Sequence, residues 1–505
     1  MRFSLLLCIM AIHLLVFSQV KEKIDYDQRF RPQFHFTPAI NWMNDPNGLV
    51  YYKGKYHLFF QFNPFGNKWG HMSWGHSESK DLMHWSPLPV AIPEKDSVMI
   101  FSGSCVPDIT NSSGFGKSGV PPLVAVYTAH ITPDASKPDD VRQSQYIAYS
   151  LDEGITWQQY AHNPVLDLHK KDFRDPKVFW YAPGRKWVMA VVLPQDHVVQ
   201  FYGSKNLKQW EHLSDFGPQG SIEHIWECPD LFQVPVEGHP EQKKWVLFNS
   251  QETTVQYFVG EFNGNNFTNE NPQGRVYRQD YGPDYYAVVT YNNLKSYMKP
   301  VSVGWANNWK YATEIPTYPW KSTMALPREL SLKRVNNEWI LLQKPASGFT
   351  TLRKPAYEWH GTFEKTKILP VKGQILEIEA NLKVPQGSIA GFHLAVGENN
   401  QFVIGYNSVT KSLFIDRSKA SDTAFSKVFT SMSKYEAPLM LTKGELQLHI
   451  FFDKSIIEIF VNDGEVVLTA QLFTNERNNG IELFNSVGTM KVNKLSIWPL
   501  KSTWK

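Results

Sequence analysis

Five stretches of this chain open on a polar or acidic turn and run on into an apolar hairpin. Asp45-Pro46 precedes Leu49-Val50-Tyr51-Tyr52, a Lys53-Gly54-Lys55 turn and the run Tyr56 to Phe60. Asp175-Pro176 precedes Val178 to Tyr181, an Ala-Pro-Gly turn and Trp187 to Val192. Glu227-Cys228-Pro229-Asp230 precedes Leu231 to Val234, a longer polar loop and Trp245 to Phe248. Weaker copies begin at Ser102 and at Asp284-Tyr285-Tyr286-Ala287. The five starts, at residues 45, 102, 175, 227 and 284, lie 52 to 73 residues apart. Apolar runs of this length, bounded by Gly, Pro and Asx turns, read as β-hairpins.

A second mark keeps step with the first. Ser79-Lys80-Asp81 leads to Trp85, Ser150-Leu151-Asp152 to Trp157, Ser204-Lys205-Asn206 to Trp210, and a faded Glu261-Phe262-Asn263 to Phe267. These read as tight turns closing the outer hairpin of each unit. Five β-only repeats of this size predict a radial array, a five-bladed β-propeller. A linear β-solenoid usually has much shorter repeats. In a propeller the first strand of each blade lines the central channel. Asp45, Asp175 and Glu227, far apart in sequence, are therefore expected to converge at one mouth of the funnel. Alone, an Asp-Pro-Asn-Gly string is an Asx turn capping its own backbone; the recurrence is what makes the acids a constellation.

The chain outlasts the array. After Trp320 and Pro327-Arg328-Glu329 the blade pattern is expected to end. From about Glu358, alternating strands follow (Ile375 to Val384, Phe402 to Tyr406, Leu446 to Phe452, Ile456 to Val461), joined by turns such as Asn462-Asp463-Gly464. This reads as a β-sandwich. The predicted organisation is all-β: a signal peptide over 1–19, a propeller over 25–340 and a sandwich over 355–505.

Arg2, the apolar run Leu5 to Phe17 and the small Ser18 have the make-up of a signal peptide. That run is too short for a membrane span, and no other stretch qualifies, so an exported protein without a membrane anchor is expected. Lys+Arg 51 against Asp+Glu 48 leaves a net charge of +3, which argues against a nucleic-acid partner. Beyond the leader only Cys105 and Cys228 remain, either as one bridge or as two buried thiols. The spacing of His71, His76 and His84 fits strand alternation and lacks an acidic partner, so no metal site and no cofactor are expected.

Trp42 to Gly48, Phe59-Phe60-Gln61-Phe62-Asn63-Pro64, Trp74-Gly75-His76, Phe101-Ser102-Gly103-Ser104, Phe173-Arg174-Asp175-Pro176, Trp226-Glu227-Cys228-Pro229 and Ile315 to Trp320 stand in a fixed order. That order resembles glycoside hydrolase family 32, the invertases, inulinases, levanases and fructan exohydrolases. The resemblance spans essentially the whole chain after the leader, including Asp453-Lys454-Ser455 to Gly464, and implies a five-bladed propeller plus sandwich.

It also implies roles. Asp45 would be the nucleophile at the anomeric C2 of a fructosyl unit, and Glu227 the acid/base, roughly 5 to 5.5 Å away in a retaining enzyme. Trp226 and Cys228 flank Glu227 and would give it a drier setting. Arg174 and Asp175 would bind fructose hydroxyls, with Asp175 stabilising the oxocarbenium-like transition state. Asn44, Gln61, Trp69, Phe101, Ser102 and Trp305 would line the fructose subsite; Trp69 and Trp305 could instead be core or inter-blade aromatics. Asp284 would help orient the acid/base. The implied activity is release of terminal fructose from levan, inulin or sucrose. An endo-acting levanase or inulinase, and a fructan-binding propeller without chemistry, are the competing readings.

Overall fold

A computed structural model describes residues 25–504, apart from 134–135, 137–139 and 421–422. The expected signal peptide lies outside the described residues. Among the described residues no helix is long and apolar enough to cross a membrane.

The five units are blades I to V. Their inner strands are Asn41–Tyr52, Val98–Pro107, Arg174–Tyr181, Glu227–Val236 and Tyr286–Thr290. Each inner strand packs on the next, and that of blade V packs back on that of blade I, so the ring closes. In blades I to IV successive strands pair antiparallel outward from the axis. The Ser-x-Asp marks fall where expected, between the third and outermost strands. Ser79 Oγ accepts from Leu82 N at 2.9 Å, and Asp81 Oδ1 from His84 N at 2.9 Å. Asp152 Oδ1 accepts from Thr156 N, and Asn206 Oδ1 from Lys208 N. A short polar side chain that caps the backbone two to four residues on supplies a turn wherever a hairpin must close.

Blade V departs from the expectation. The blade pattern does not end at Pro327-Arg328-Glu329: Arg328–Val335 pairs with Val301–Trp305, and Glu338–Pro345 forms the outer strand. These strands lack the acid-headed signature because they are outer strands.

Two six-stranded antiparallel sheets form the sandwich. Leu376, Ile378, Phe392, Phe402, Ile450 and Leu483 meet in a continuous apolar core between them. Asn462 and Asp463, at φ 48° and 62°, make the hairpin turn before Val466–Gln471, as the Asn-Asp-Gly string predicts.

Buried charge fastens the sandwich to the propeller. Arg328 of blade V bonds Glu458 at 2.7 Å and Asp280 at 3.0 Å. Asp453 accepts from the backbone N–H groups of Gln33, Phe34 and His35 and thereby pins the N-terminal arm. The Asp453 motif thus serves the junction. Losing one partner from such a network strands a charge out of water, which costs about 3–5 kcal/mol.

Candidate active site

Every inner strand carries the same irregularity near its start. Two of its residues face one residue of the second strand: 44–45, 101–102, 175–176, 228–229 and 287–288, in blades I to V. Such a β-bulge bends the strand and re-aims the side chains beside it. Repeated five times around one end of the axis, it turns a ring of side chains into the mouth. Asp175, Cys228 and Ala287, each the first residue of its bulge, take left-handed backbone at φ 62°, 48° and 51°. That conformation strains non-glycine residues and clusters at functional sites.

The bulges bring the three acids together but at three different positions. Asp45 is second in its bulge, Asp175 first in its own, and Glu227 is the last paired residue before its bulge. Aligning the two Asp-Pro pairs in sequence therefore misplaces them by one residue.

Asp45 sits partly exposed at the mouth. Trp42 Nε1 donates to Asn44 Oδ1 at 2.8 Å, which fixes that amide so its Nδ2 donates to Asp45 Oδ1 at 3.0 Å. Ser102 Oγ donates to Asp45 Oδ2 at 3.0 Å. Desolvation raises the Asp45 pKa to about 6; these hydrogen bonds oppose the rise and the charge of Glu227 adds to it. Gly48, at φ 58°, follows on a second irregularity; a Cβ there would stand 2.8 Å from both Phe59 and Trp74.

Asp175 is buried. Its N–H donates to Thr128 Oγ1 at 3.0 Å, and its Oδ2 accepts from Cys228 N at 3.0 Å. Burial raises its pKa to about 7; Arg174 opposes the rise, while Glu227 and Asp45 add to it. The Cys228 thiol lies between the two aspartates, 3.8 Å from Asp45 Oδ2 and 3.7 Å from Asp175 Oδ2. Burial first, then these carboxylates, push its own pKa well up. Cys105 and Cys228 are two free buried thiols, without a bridge.

Glu227 is partly exposed and held from two sides. Arg174 Nε donates to Oε1 at 3.0 Å, and the Tyr286 hydroxyl donates to Oε2. Arg174 is fixed in turn by Asp172 at 2.8 Å and by Gln143. The dry setting expected from the neighbours of Glu227 is not what forms. Trp226 turns into the core between blades III and IV, with its indole N–H on Ser221 O. Cys228 turns to the aspartates.

Asp284 needs the larger correction. It is fully buried, away from the mouth. It pairs with Arg417 of the sandwich at 2.8 Å and accepts from Tyr311 Oη at 2.5 Å and Gln471 N at 2.8 Å. The orienting contact expected of it belongs to Tyr286, two residues on. Tyr286 occupies in blade V the position that Arg174 and Glu227 occupy in theirs, immediately before the bulge. Aligning blades on the bulge would have found it; aligning on acids could not.

The expected subsite residues divide by burial. Phe101 stacks on His130 at 4.4 Å, and Trp69 stands edge-on to Phe101 at 6.1 Å, exposed. Trp305 is buried between Trp42 and Trp309. Gln61 Nε2 and Trp305 Nε1 are buried donors with no partner among the described residues. Deeper on the axis, Lys177 ties blades III, IV and V through Asp230 Oδ2 at 3.0 Å and Thr290 O at 2.8 Å.

The three histidines do not converge. His71 pairs with Glu94, His84 with Asp81, and His76 with His57, so two have acidic partners that the spacing did not reveal. Elsewhere Glu377, Glu379 and His449 come close enough to share an ion. Arg353 and Lys494 already neutralise those carboxylates.

Carboxyl groups whose protonation depends on one another, set beside aromatic surfaces and free N–H donors, are the equipment for cleaving glycosidic bonds. Glycoside hydrolase is accordingly the class of this protein. Residues 35–345 match the glycosyl hydrolases family 32 N-terminal domain, and 349–499 the family 32 C-terminal domain. The chain belongs to glycoside hydrolase family 32. It is 44% identical over 499 residues to a levanase of Bacillus subtilis, covering 95% of this chain and 72% of that one. It is 38% identical over 536 residues to an extracellular exo-inulinase of Aspergillus ficuum, covering 98% and 99%. The crystal structure of exo-inulinase from Aspergillus awamori superposes with a TM-score of 0.89 at 38% identity, covering 95% of this chain and all of that one.

Proposed function

We propose that the protein is a retaining, exo-acting β-fructosidase that removes terminal β-D-fructofuranosyl units from levan or inulin, and from sucrose. One observation carries this reading: acids from three blades meet around shared partners. Cys228 lies within 3.8 Å of Asp45 and Asp175, and Arg174 bonds Glu227 at 3.0 Å with Asp175 at 4.0 Å. Asp45 attacks C2 of the terminal fructosyl unit while Glu227 gives its proton to the departing oxygen. An ester to Asp45 results. Water then attacks C2, Glu227 takes a proton from it, and the C2–Asp45 bond breaks to release fructose. Asp175, with Arg174 beside it, holds the sugar hydroxyls and offsets positive charge at C2. Gln61 and Trp305 supply further donors to the ring, and Phe101 a flank.

Residues 1–19 act as an export signal, in keeping with relatives described as extracellular. The propeller, through its last strand ending at Pro345, carries the chemistry, and 355–505 buttress it through the buried charge pairs.

Purified protein incubated with levan or inulin is expected to release fructose alone from the first time point, read by thin-layer chromatography, and Asp45→Asn to abolish the release. A ladder of oligosaccharides would refute exo action. Fructan binding without any product would refute the catalytic roles.

A further inference from the structure

The loops on the mouth side of blade I carry side chains that the chemistry at Asp45 does not use. Phe65 is 76% exposed, Tyr318 77% and Ile40 48%. Single exposed apolar side chains are ordinary. Asn41 ties together the two loops that carry Phe65 and Tyr318, and Ile40 precedes it in the chain. Its Nδ2 donates to Pro64 O at 2.9 Å, and its N–H donates to Pro319 O at 2.7 Å. Ile40 adjoins Asn41, and Phe65 and Tyr318 adjoin the two accepting carbonyls. Trp42 N–H donates to Gly66 O at 3.0 Å, and the same tryptophan fixes the Asn44 amide that bonds Asp45. The backbone that carries these three side chains is thus tied to the residues that hold Asp45 at the mouth.

The loop under Phe65 is also ordered from within. Asn63 Oδ1 accepts from Phe65 N at 2.9 Å, Asn63 Nδ2 donates to Lys68 O at 2.8 Å, and the Phe65 ring stands edge-on to His71 at 5.3 Å. Holding the ring in place removes much of the ordering cost of a ligand contact. Exposed apolar surface that adjoins a pocket marks a ligand groove. Sugar rings present apolar C–H faces between their hydroxyls, and exposed aromatic rings suit those faces.

We propose that Phe65 and Tyr318, with Ile40 between their anchors, form an outer platform for the fructan chain behind the terminal unit. The platform makes the protein a polymer-preferring enzyme over a sucrose-preferring one. This rests on the β-fructosidase reading of the site. Sucrose ends one unit beyond the scissile bond, so removing the platform should spare it.

The test compares kcat and KM for high-molecular-weight levan and inulin with those for sucrose, in Phe65→Ala, Tyr318→Ala and the double variant. Ring removal is expected to raise KM for at least one polymer about three- to tenfold per ring, with KM for sucrose within twofold of wild type. Tyr318→Trp, which keeps a ring, should hold the wild-type polymer KM. Both positions are exposed, so melting temperatures should stay level. Equal changes for polymer and sucrose, or no change for either polymer, would overturn the platform. Wild-type protein that cleaves neither polymer nor sucrose would instead overturn the reading of the catalytic site, whatever the variants do.

Discussion

Asp45→Asn should make the protein inactive and more stable at once, and the gain should depend on pH. Folding raises the Asp45 carboxyl from 3.8 to about 6, chiefly by desolvation. The folded chain therefore binds this proton more tightly than the unfolded chain. Between about pH 4 and pH 6 the native state holds more protons, so stability falls as pH rises and the penalty is complete above that window. A rise from 3.8 to about 6 corresponds to about 3 kcal/mol. Asparagine carries no charge to desolvate at any pH. It also keeps both hydrogen bonds: its Oδ1 can still accept from Asn44, and its Nδ2 can donate to Ser102 Oγ, a hydroxyl free to rotate. For a cooperative unit of propeller size, a gain of about 3 kcal/mol raises Tm by roughly 5 °C. Calorimetry of wild type and Asp45→Asn at pH 8 and pH 4 reads it directly. The variant should melt higher at pH 8, with the difference largely gone at pH 4. Equal melting at pH 8, or the same gain at both pH values, would refute the claim that burial beside Glu227 strains this carboxylate.

Tyr286→Phe removes the hydroxyl that fixes Glu227 Oε2; kcat on levan or inulin should fall about tenfold or more, with KM within threefold, by steady-state kinetics. Asp284→Asn leaves Arg417 without its buried partner and should cost about 3–5 kcal/mol in denaturant melts, while kcat/KM of the folded fraction stays near wild type; a selective loss of kcat/KM would return Asp284 to the active site. With Asp45 as the proposed nucleophile, which must be ionised to attack, kcat/KM should decline as pH falls through about 6; a plateau extending to pH 4 would contradict that role. With both cysteines free and buried, dithiothreitol should leave Tm unchanged, and native protein should resist alkylation until denatured.

The sequence carried the repeat because a propeller blade is a local object. A hairpin, a Ser-x-Asp turn and an aromatic recur wherever one strand must turn into the next, and each depends on residues only a few positions apart. Five such units with polar heads determined the ring, and the ring determined that Asp45, Asp175 and Glu227 would share a mouth. What the repeat could not carry was register. One residue of β-bulge decides which neighbour points inward, and bulges form from pairing between strands. Hence Tyr286, not Asp284, reaches Glu227; Trp226 leaves the site that its sequence neighbour enters; and Cys228 settles between two aspartates. The sandwich contributed no motif that could announce its hold on Asp284, because Arg417 and Gln471 come from strands more than 130 residues away. Sequence alone thus determined the acids and the architecture that gathers them. The tertiary structure decided their partners and protonation, because desolvation and charge coupling depend on distances across blades that no local pattern encodes.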